Sequence, residues 1–168
     1  MVACPGGVLA SDDPPTLIAQ GSTSLSRAAH ATRVHLLGGV EIYNVGVYVE
    51  GATSDRGRLL SPDVAKAVRI EIKYTEDLRR RVPFDWRREL IPVLEPAATA
   101  HLRGVFAPIT AGDVVLIEYV PSKGTAVRVN DATAVSGARH ELMMAFLDHW
   151  LGQRPVSEEI KRMLVGSS

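Results

Sequence analysis

Cysteine is almost absent from this sequence: Cys4 is the only one among 168 residues. A chain with one cysteine cannot form an intrachain disulfide, and a metal site made of thiolates would need more of them. A surplus of either charge is missing too, because 19 basic residues balance 19 acidic residues. A neutral chain has no general attraction for nucleic acid or for an anionic membrane surface. We therefore expect no nucleic-acid partner, and any recognition by charge must be local.

Long apolar runs are also missing. No run of about 18 apolar residues occurs, so the sequence predicts no transmembrane segment. Residues 1–15 show no periodicity and lack the basic lead and apolar core of a signal peptide. We expect a flexible tail over residues 1–15 and a single domain over residues 16–166. The sequence as it stands is typical of a cytoplasmic protein, and a periplasmic location is the alternative if an N-terminal signal was removed.

The common catalytic and cofactor motifs do not occur. A P-loop, a G-x-G-x-x-G fingerprint and a G-x-S-x-G elbow are all missing, which removes the usual evidence for phosphate binding, dinucleotide binding and serine hydrolysis. The histidines form no H-E-x-x-H pattern, so the sequence predicts no metal site and no cofactor. His140 and His149, near the two ends of a predicted helix, are expected to be solvated.

One segment, "DLRRRVPFDWRREL" at residues 77–90, combines arginines with Phe84 and Trp86. Arginines interleaved with aromatic residues are a composition that can contact RNA or phosphate. The acidic neighbours at positions 76, 77, 85 and 89 largely neutralise these arginines. We therefore favour a solvated helix face over a phosphate-binding patch.

Strand patterns are clearest in two places. In "VRIEIKY", residues 68–74, apolar side chains alternate with charged ones, which indicates a strand with one buried and one wet face. The apolar runs "DVVLIEYV" and "TAVRVN" flank "PSKG", so residues 113–130 predict a β-hairpin. Strands with a single wet face belong to an antiparallel sheet that is covered on one side only.

Helical patterns occupy the middle and the end of the chain. Between residues 76 and 106 apolar residues recur every three or four positions, with Pro92 and Pro96 as interruptions. The stretch "HELMMAFLDHWLG" forms an apolar stripe, and Gly152 is predicted to end it in the left-handed conformation. A last helix is predicted with Ser157 as its cap and with a buried face made of Ile160, Met163 and Leu164. Together with the strands, these helices predict an α+β fold.

Arg33 opens the strand-like stretch "RVHLLGGVEIYNVGVYVEG" at residues 33–51. A guanidinium that projected into an apolar cleft would need a carboxylate, an oxyanion or a ligand as its partner. The local sequence alone favours a surface arginine at a strand end and leaves a cleft arginine as the alternative.

Three segments resemble the chalcone isomerase-like family, and in particular its bacterial members. They are "VEIYNVGVYVEG" (residues 40–51), "AGDVVLIEYVPSKGTAVRVND" (111–131) and "HELMMAFLDHWLGQRPVSEEIKRMLVG" (140–166). The resemblance implies a chalcone isomerase-like open-faced sandwich of the α+β class. In that fold a large antiparallel β-sheet is covered on one face by a layer of α-helices, with a cleft between the two.

The resemblance also implies one of two kinds of function. Plant enzymes of the family close a flavanone ring by intramolecular attack of a phenolate on an enone. They use a strand arginine together with a threonine, a tyrosine and an asparagine. Relatives in chloroplasts bind fatty acids and use the arginine and a tyrosine to hold the carboxylate.

The family's residues carry over unevenly to this chain. Arg33 is the best match to the strand arginine, and an alternative alignment puts His30 there. Tyr43 stands where the enzymes have the strand threonine. The helical tyrosine and asparagine have no counterpart in "VPFDWRRELIPVLEP", residues 82–96, so Phe84 and Trp86 are expected to shape the cleft instead.

We predict a protein that binds a small acidic amphipathic ligand, such as a fatty acid, an aromatic acid or a phenolic compound, and that lacks chalcone isomerase activity. The predicted ligand-binding residues are Arg33, Tyr43, His30, Phe84 and Trp86. The alternative is an isomerase of the intramolecular lyase type, with Arg33 and Tyr43 as its catalytic residues. A scaffold with a closed cleft is the third interpretation. The sequence does not predict an oligomeric state.

Overall fold

The computed structural model describes residues 16–34, 41–51, 55–73, 94–130 and 132–165. These ranges contain seven strands: β1 (Thr16–Ala19), β2 (Thr23–Val34), β3 (Glu41–Val49), β4 (Lys66–Ile72), β5 (Val114–Val120), β6 (Gly124–Val129) and β7 (Ala132–Ala138). They also contain four helices: α1 (Arg56–Leu60), α2 (Pro96–Phe106), α3 (His140–Leu151) and α4 (Glu158–Val165). The predicted tail at residues 1–15 and the helical pattern before residue 94 lie outside the described residues.

The strands form one antiparallel sheet in chain order, from β1 at one edge to β7 at the other. The predicted β-hairpin is confirmed, because β5 and β6 pair from Val115 with Val129 to Val120 with Gly124. Gly124 has a φ of +78°, and a Cβ added there would lie 2.5 Å from the carbonyl oxygen of Ala138. Only glycine fits this turn, where β6 starts beside the end of β7.

One face of the sheet carries the main core, as the alternation in β4 predicts. Val68, Ile70 and Ile72 are all buried on this face. The helix layer covers it: α2 packs beside β7, α3 lies over β5 and β6, and α4 lies over β2. The predicted α+β class and the antiparallel sheet with helices on one face are therefore confirmed.

The opposite face is less wet than the sequence predicts. The register between β2 and β3 shifts between Arg27 and Ala29, and the turn between β1 and β2 reaches β5 and β6. Gln20 donates from its backbone N to Glu118 Oε1 at 2.9 Å, and Lys123 Nζ donates to the carbonyl of Gln20 at 2.9 Å. A small apolar cluster lies on this side of the sheet and contains Ala19, Leu25, Tyr48, Ala65, Ala67 and Val120.

The two C-terminal helices differ from the sequence predictions at single positions. Gly152 follows α3 with φ −68° and ψ −172°, so the predicted left-handed stop is wrong. Glycine is needed there for space, because a Cβ would lie 2.5 Å from the carbonyl oxygen of Asp148. Met163 is 45% exposed, so the predicted buried face of α4 is wrong at that position. Ser157 caps α4 as predicted, since its Oγ accepts from the backbone N of Ile160 at 3.4 Å.

None of the helices in the described ranges has the length and apolar character that a membrane span requires.

Candidate functional site

Arg33 and Tyr43 lie directly opposite each other on β2 and β3. Residues paired in this way share one face of an antiparallel sheet, and Tyr43 packs in the main core under the helices. The register therefore assigns position 33 to the helix-covered face. His30 pairs with Gly46, three residues along β2 from Arg33. Since side chains alternate along a strand, position 30 belongs to the opposite face.

Tyr43 is 8% exposed, and its hydroxyl contacts Trp150 at the C-terminal end of α3. The indole Nε1 of Trp150 donates to Tyr43 Oη at 3.0 Å. The two rings meet edge to face, with centroids 6.5 Å apart and an interplanar angle of 80°, which is a favourable arrangement for aromatic pairs. A phenolic hydroxyl can donate one hydrogen bond while it accepts another, so this contact orients the hydroxyl without consuming its proton.

The sequence builds this contact from two periodicities. The period of two along β3 turns Tyr43, Val45 and Val47 toward the helices. The helical period of α3 turns Met143, Phe146, Leu147 and Trp150 toward the sheet, and all four are buried as the apolar stripe predicts. The space beneath the middle of α3 is thus filled by side chains.

Tyr43 lies at the end of the sheet where β2 ends and β3 begins, and its partner on β4 is Ile72, the last residue of that strand. We call this the Tyr43 end. The chain leaves the described residues here twice, after Val34 and after Lys73. Phe84 and Trp86, which the sequence assigns to the cleft, belong to the second of these segments and lie outside the described residues.

The other end of the sheet holds a polar cluster that the sequence analysis missed, and we call it the Lys66 end. Lys66 is 1% exposed at the start of β4. Its Nζ donates to the carbonyl of Leu59 at 2.7 Å and to the carbonyl of Ser61, and it lies 3.2 Å from His140 Nε2. The ammonium is also 5.4 Å from the ring centroid of Tyr119, within the range of a cation–π contact.

His140 and His149, predicted to be solvated, are both packed against other side chains. The His140 imidazole is partly buried, with its centroid 4.6 Å from that of Tyr119. His149 is 5% exposed, and its ring contacts Trp150 edge to face at 5.0 Å. The prediction was wrong because a helical pattern alone does not show that the sheet extends under both ends of α3. A signal for Lys66 was present, because Lys66 is in phase with Val68 and Ile70.

Burial and charge shift three pKa values at the Lys66 end. Burial lowers the pKa of Lys66 to about 8. Burial, and then the neighbouring Lys66 charge, lower the pKa of His140 below its ordinary value. Burial, followed by the charges of Asp63 and Glu141, raises the pKa of Tyr119. All three shifts disfavour the ionised form of a group that is enclosed between β4, β5 and α3.

Among the described residues, no three histidine, cysteine, aspartate or glutamate side chains come together in a group that could hold a metal ion.

Comparison with known proteins gives one family and one type of structure. A family model described as chalcone isomerase-like matches residues 14–166. Among solved structures, the chain is similar to a fatty-acid binding protein of Arabidopsis thaliana, with a TM-score of 0.57 and 14% identity. The similarity covers 89% of this chain and 95% of that protein. At this identity the likeness shows a common fold. No curated protein matches the sequence.

Proposed function

Because the chain belongs to the chalcone isomerase-like family, we propose that it binds a small acidic amphipathic ligand at the Tyr43 end of the sheet. The observation that carries this proposal is the register of β2 and β3. It pairs Arg33 directly with Tyr43, which is buried. One cationic residue and one phenol at the edge of an apolar core are the groups that a carboxylate with a hydrophobic body requires.

The chemistry of the head group follows from these two residues. A guanidinium holds a carboxylate through charge-assisted hydrogen bonds, which are stronger than neutral ones. Tyr43 adds a hydroxyl whose direction is fixed by the hydrogen bond from Trp150. The fatty-acid binding protein that shares this fold supports a fatty acid as the first ligand to test.

Ring closure of a chalcone asks for more than binding does. The phenolate must be held close to the enone in a reactive pose, and the negative charge that moves onto the enolate must be stabilised. In this chain the stretch 82–96 offers neither a tyrosine nor an asparagine. Arg33 and Tyr43 alone could stabilise charge, but they leave the positioning of the nucleophile incomplete. This difference favours binding over catalysis.

Calorimetric titration of delipidated protein with palmitate, and with hexadecanol as its uncharged counterpart, tests the proposal. We expect palmitate to bind. Arg33→Ala should lower the affinity for palmitate by roughly 10- to 100-fold, because it removes a hydrogen bond to a charged group. The affinity for hexadecanol should change little with the same substitution. The matched control is Arg27→Ala, which removes an exposed arginine from the same strand, opposite Tyr48.

Two outcomes would overturn the proposal. Equal affinities for palmitate in the Arg33→Ala and Arg27→Ala proteins would show that position 33 does not contact the ligand. Turnover of a chalcone by the unchanged protein, abolished by Arg33→Ala, would identify an isomerase instead.

A further inference from the structure

Lys66 is held as an ammonium by three acceptors at the start of β4. The carbonyl oxygens of Leu59 and Ser61 come from the end of α1, and the third acceptor is His140 Nε2. A lysine ammonium has three donors and no acceptor, so this arrangement satisfies it completely. The geometry therefore describes a buried cation that joins α1, β4 and α3, and not an amine presented to a substrate.

His140 can accept from Lys66 only in its neutral form. The contact of 3.2 Å requires that Nε2 carries no proton and that the ring proton lies on Nδ1. His140 is also the first residue of α3, where the helix dipole disfavours a positive charge. A second proton on the ring would convert Nε2 into a donor that faces another donor.

The charged and titratable groups around His140 come from several elements. Lys66 on β4 and Tyr119 on β5 pack against its ring. Glu141 follows it on α3, and Arg139 precedes it with its side chain 89% exposed. Asp63, in the loop before β4, raises the pKa of Tyr119, and the Glu141 carboxylate opposes burial and Lys66 by raising the pKa of His140. Of these neighbours, the cation in direct contact with the imidazole is Lys66.

We propose that Lys66 and His140 form an acid-sensitive latch, which holds the first turn of α3 against β4 and β5 and is opened by one proton on His140. In the closed latch the pair carries a single positive charge, on Lys66. Protonation of His140 places two cations at hydrogen-bonding distance, so either the imidazole or the ammonium must move away. The first turn of α3 then loses its polar attachment to β4 and keeps the one to β6, where Thr125 Oγ1 donates to the carbonyl of Arg139 at 2.9 Å.

The direction of the pH effect agrees with this arrangement. The pKa of His140 is lowered in the folded protein, by burial and then by Lys66. A lowered pKa means that the closed latch is favoured above the ordinary value of 6.5 and is lost as the pH falls through the lowered pKa. Acid should therefore open it.

Hydrogen exchange followed by NMR tests the latch. Amide exchange rates in the first turn of α3 are measured between about pH 8 and about pH 4.5 and corrected for the intrinsic effect of pH. Below pH 6.5, opening should become up to about tenfold more frequent per pH unit until the pKa of the closed form is reached. His140→Gln keeps an oxygen that can accept from Lys66 but cannot gain a proton, so this increase should disappear.

Two further proteins complete the test. His101→Gln removes an exposed histidine on α2 and should leave the acid-induced exchange unchanged. Lys66→Met removes the cation and should raise the midpoint at which the His140 ring titrates. The proposal would be wrong if His140→Gln retained the acid-induced exchange, or if the His140 ring titrated no lower than the ordinary value of 6.5.

Discussion

The two ends of the sheet are connected by a single helix and use a tyrosine in opposite ways. α3 has 12 residues, which corresponds to about 18 Å at the usual rise per residue. At its C-terminal end Trp150 donates to Tyr43, a neutral pair inside the core. At its N-terminal end His140 lies against Tyr119, beside the buried Lys66. At the Tyr43 end the phenol accepts a hydrogen bond, and at the Lys66 end the phenol ring faces a cation.

The Lys66 end has contacts that stabilise the fold, whereas the Tyr43 end has groups that are suited to recognition. The cation at the Lys66 end is fully engaged by acceptors of its own chain. At the Tyr43 end the hydrogen bond between Trp150 and Tyr43 is neutral, and Arg33 is the residue paired with Tyr43 on β2. This contrast supports the proposal that an acidic ligand binds at the Tyr43 end. The Lys66 end has the chemistry of an attachment point for α3.

The largest loss of stability should come from removing the buried indole at the Tyr43 end. Trp150 is 0% exposed, and Trp150→Ala removes a large side chain together with the hydrogen bond to Tyr43. We expect the free energy of unfolding to fall by about 3–5 kcal/mol, measured by chemical denaturation. Met163→Ala on the neighbouring α4 is the control, since Met163 is 45% exposed and should cost less than about 0.5 kcal/mol. Similar losses of stability in the Trp150→Ala and Met163→Ala proteins would contradict the expectation that the buried volume of Trp150 stabilises the Tyr43 end.

The next effect concerns how α3 ends beside Trp150. In Gly152→Ala the new Cβ would meet Asp148, with its side-chain oxygen at 2.3 Å and its carbonyl oxygen at 2.5 Å. We expect a loss of about 2–3 kcal/mol from overpacking. Gly104→Ala is the matched control on α2, where a Cβ meets nothing within 4 Å. That change should stabilise the protein by about 0.5–1 kcal/mol, because alanine is the better helix former. A stabilising Gly152→Ala would mean that the helix end can open without cost.

The Lys66 end should respond to alkaline pH in a way that the Tyr43 end does not. The pKa of Lys66 is about 8 in the folded protein, against 10.5 for an ordinary lysine. Because the pKa of Lys66 is lowered in the folded protein, its contribution to the free energy of unfolding is complete above pH 10.5. That contribution is lost as the pH falls toward 8. The free energy of unfolding should therefore rise by about 2 kcal/mol from pH 8 toward pH 10.

Two lysine variants test whether Lys66 causes this rise in the free energy of unfolding. Lys66→Met should abolish the rise, and Lys123→Met, which removes an exposed lysine, should preserve it. A flat profile in the unchanged protein would show that the carbonyls of Leu59 and Ser61 stabilise the ammonium as well as water does.

Much of the fold follows from periodicity that can be seen in the sequence. The alternation in β4 and the stripe of α3 each predicted the buried face found in the structure, and the apolar runs of β5 and β6 predicted their pairing as a hairpin. The errors occur where a single specific contact decides the structure. Gly152 is needed because Asp148 is close, and the outer face is partly covered because the turn between β1 and β2 contacts Glu118 on β5. Neither contact leaves a periodic signal.

The candidate site was less predictable than the fold. The pattern placed Tyr43 in a strand, but only the register of β2 and β3 shows that Arg33 lies opposite it and that His30 belongs to the other face. The Lys66 cluster joins residues 66, 119 and 140, which no local pattern connects. A lysine in phase with apolar neighbours was the only local hint, and its partners depend on the packing of α3.

The smallest effect gives the most direct comparison of the two tyrosines. Tyr43→Phe removes the acceptor of a fully buried indole N–H, whereas Tyr119→Phe removes a donor to the carbonyl of the exposed Pro62 at 2.7 Å. Water can replace the donor at Pro62 but not the acceptor inside the core. We expect Tyr43→Phe to lower the free energy of unfolding by about 1–2 kcal/mol and Tyr119→Phe by about 0.5 kcal/mol. Chemical denaturation of the two proteins at one pH measures both. If Tyr119→Phe were the costlier change, the Lys66 end would depend on its phenolic hydroxyl as well as on the aromatic ring that faces the cation.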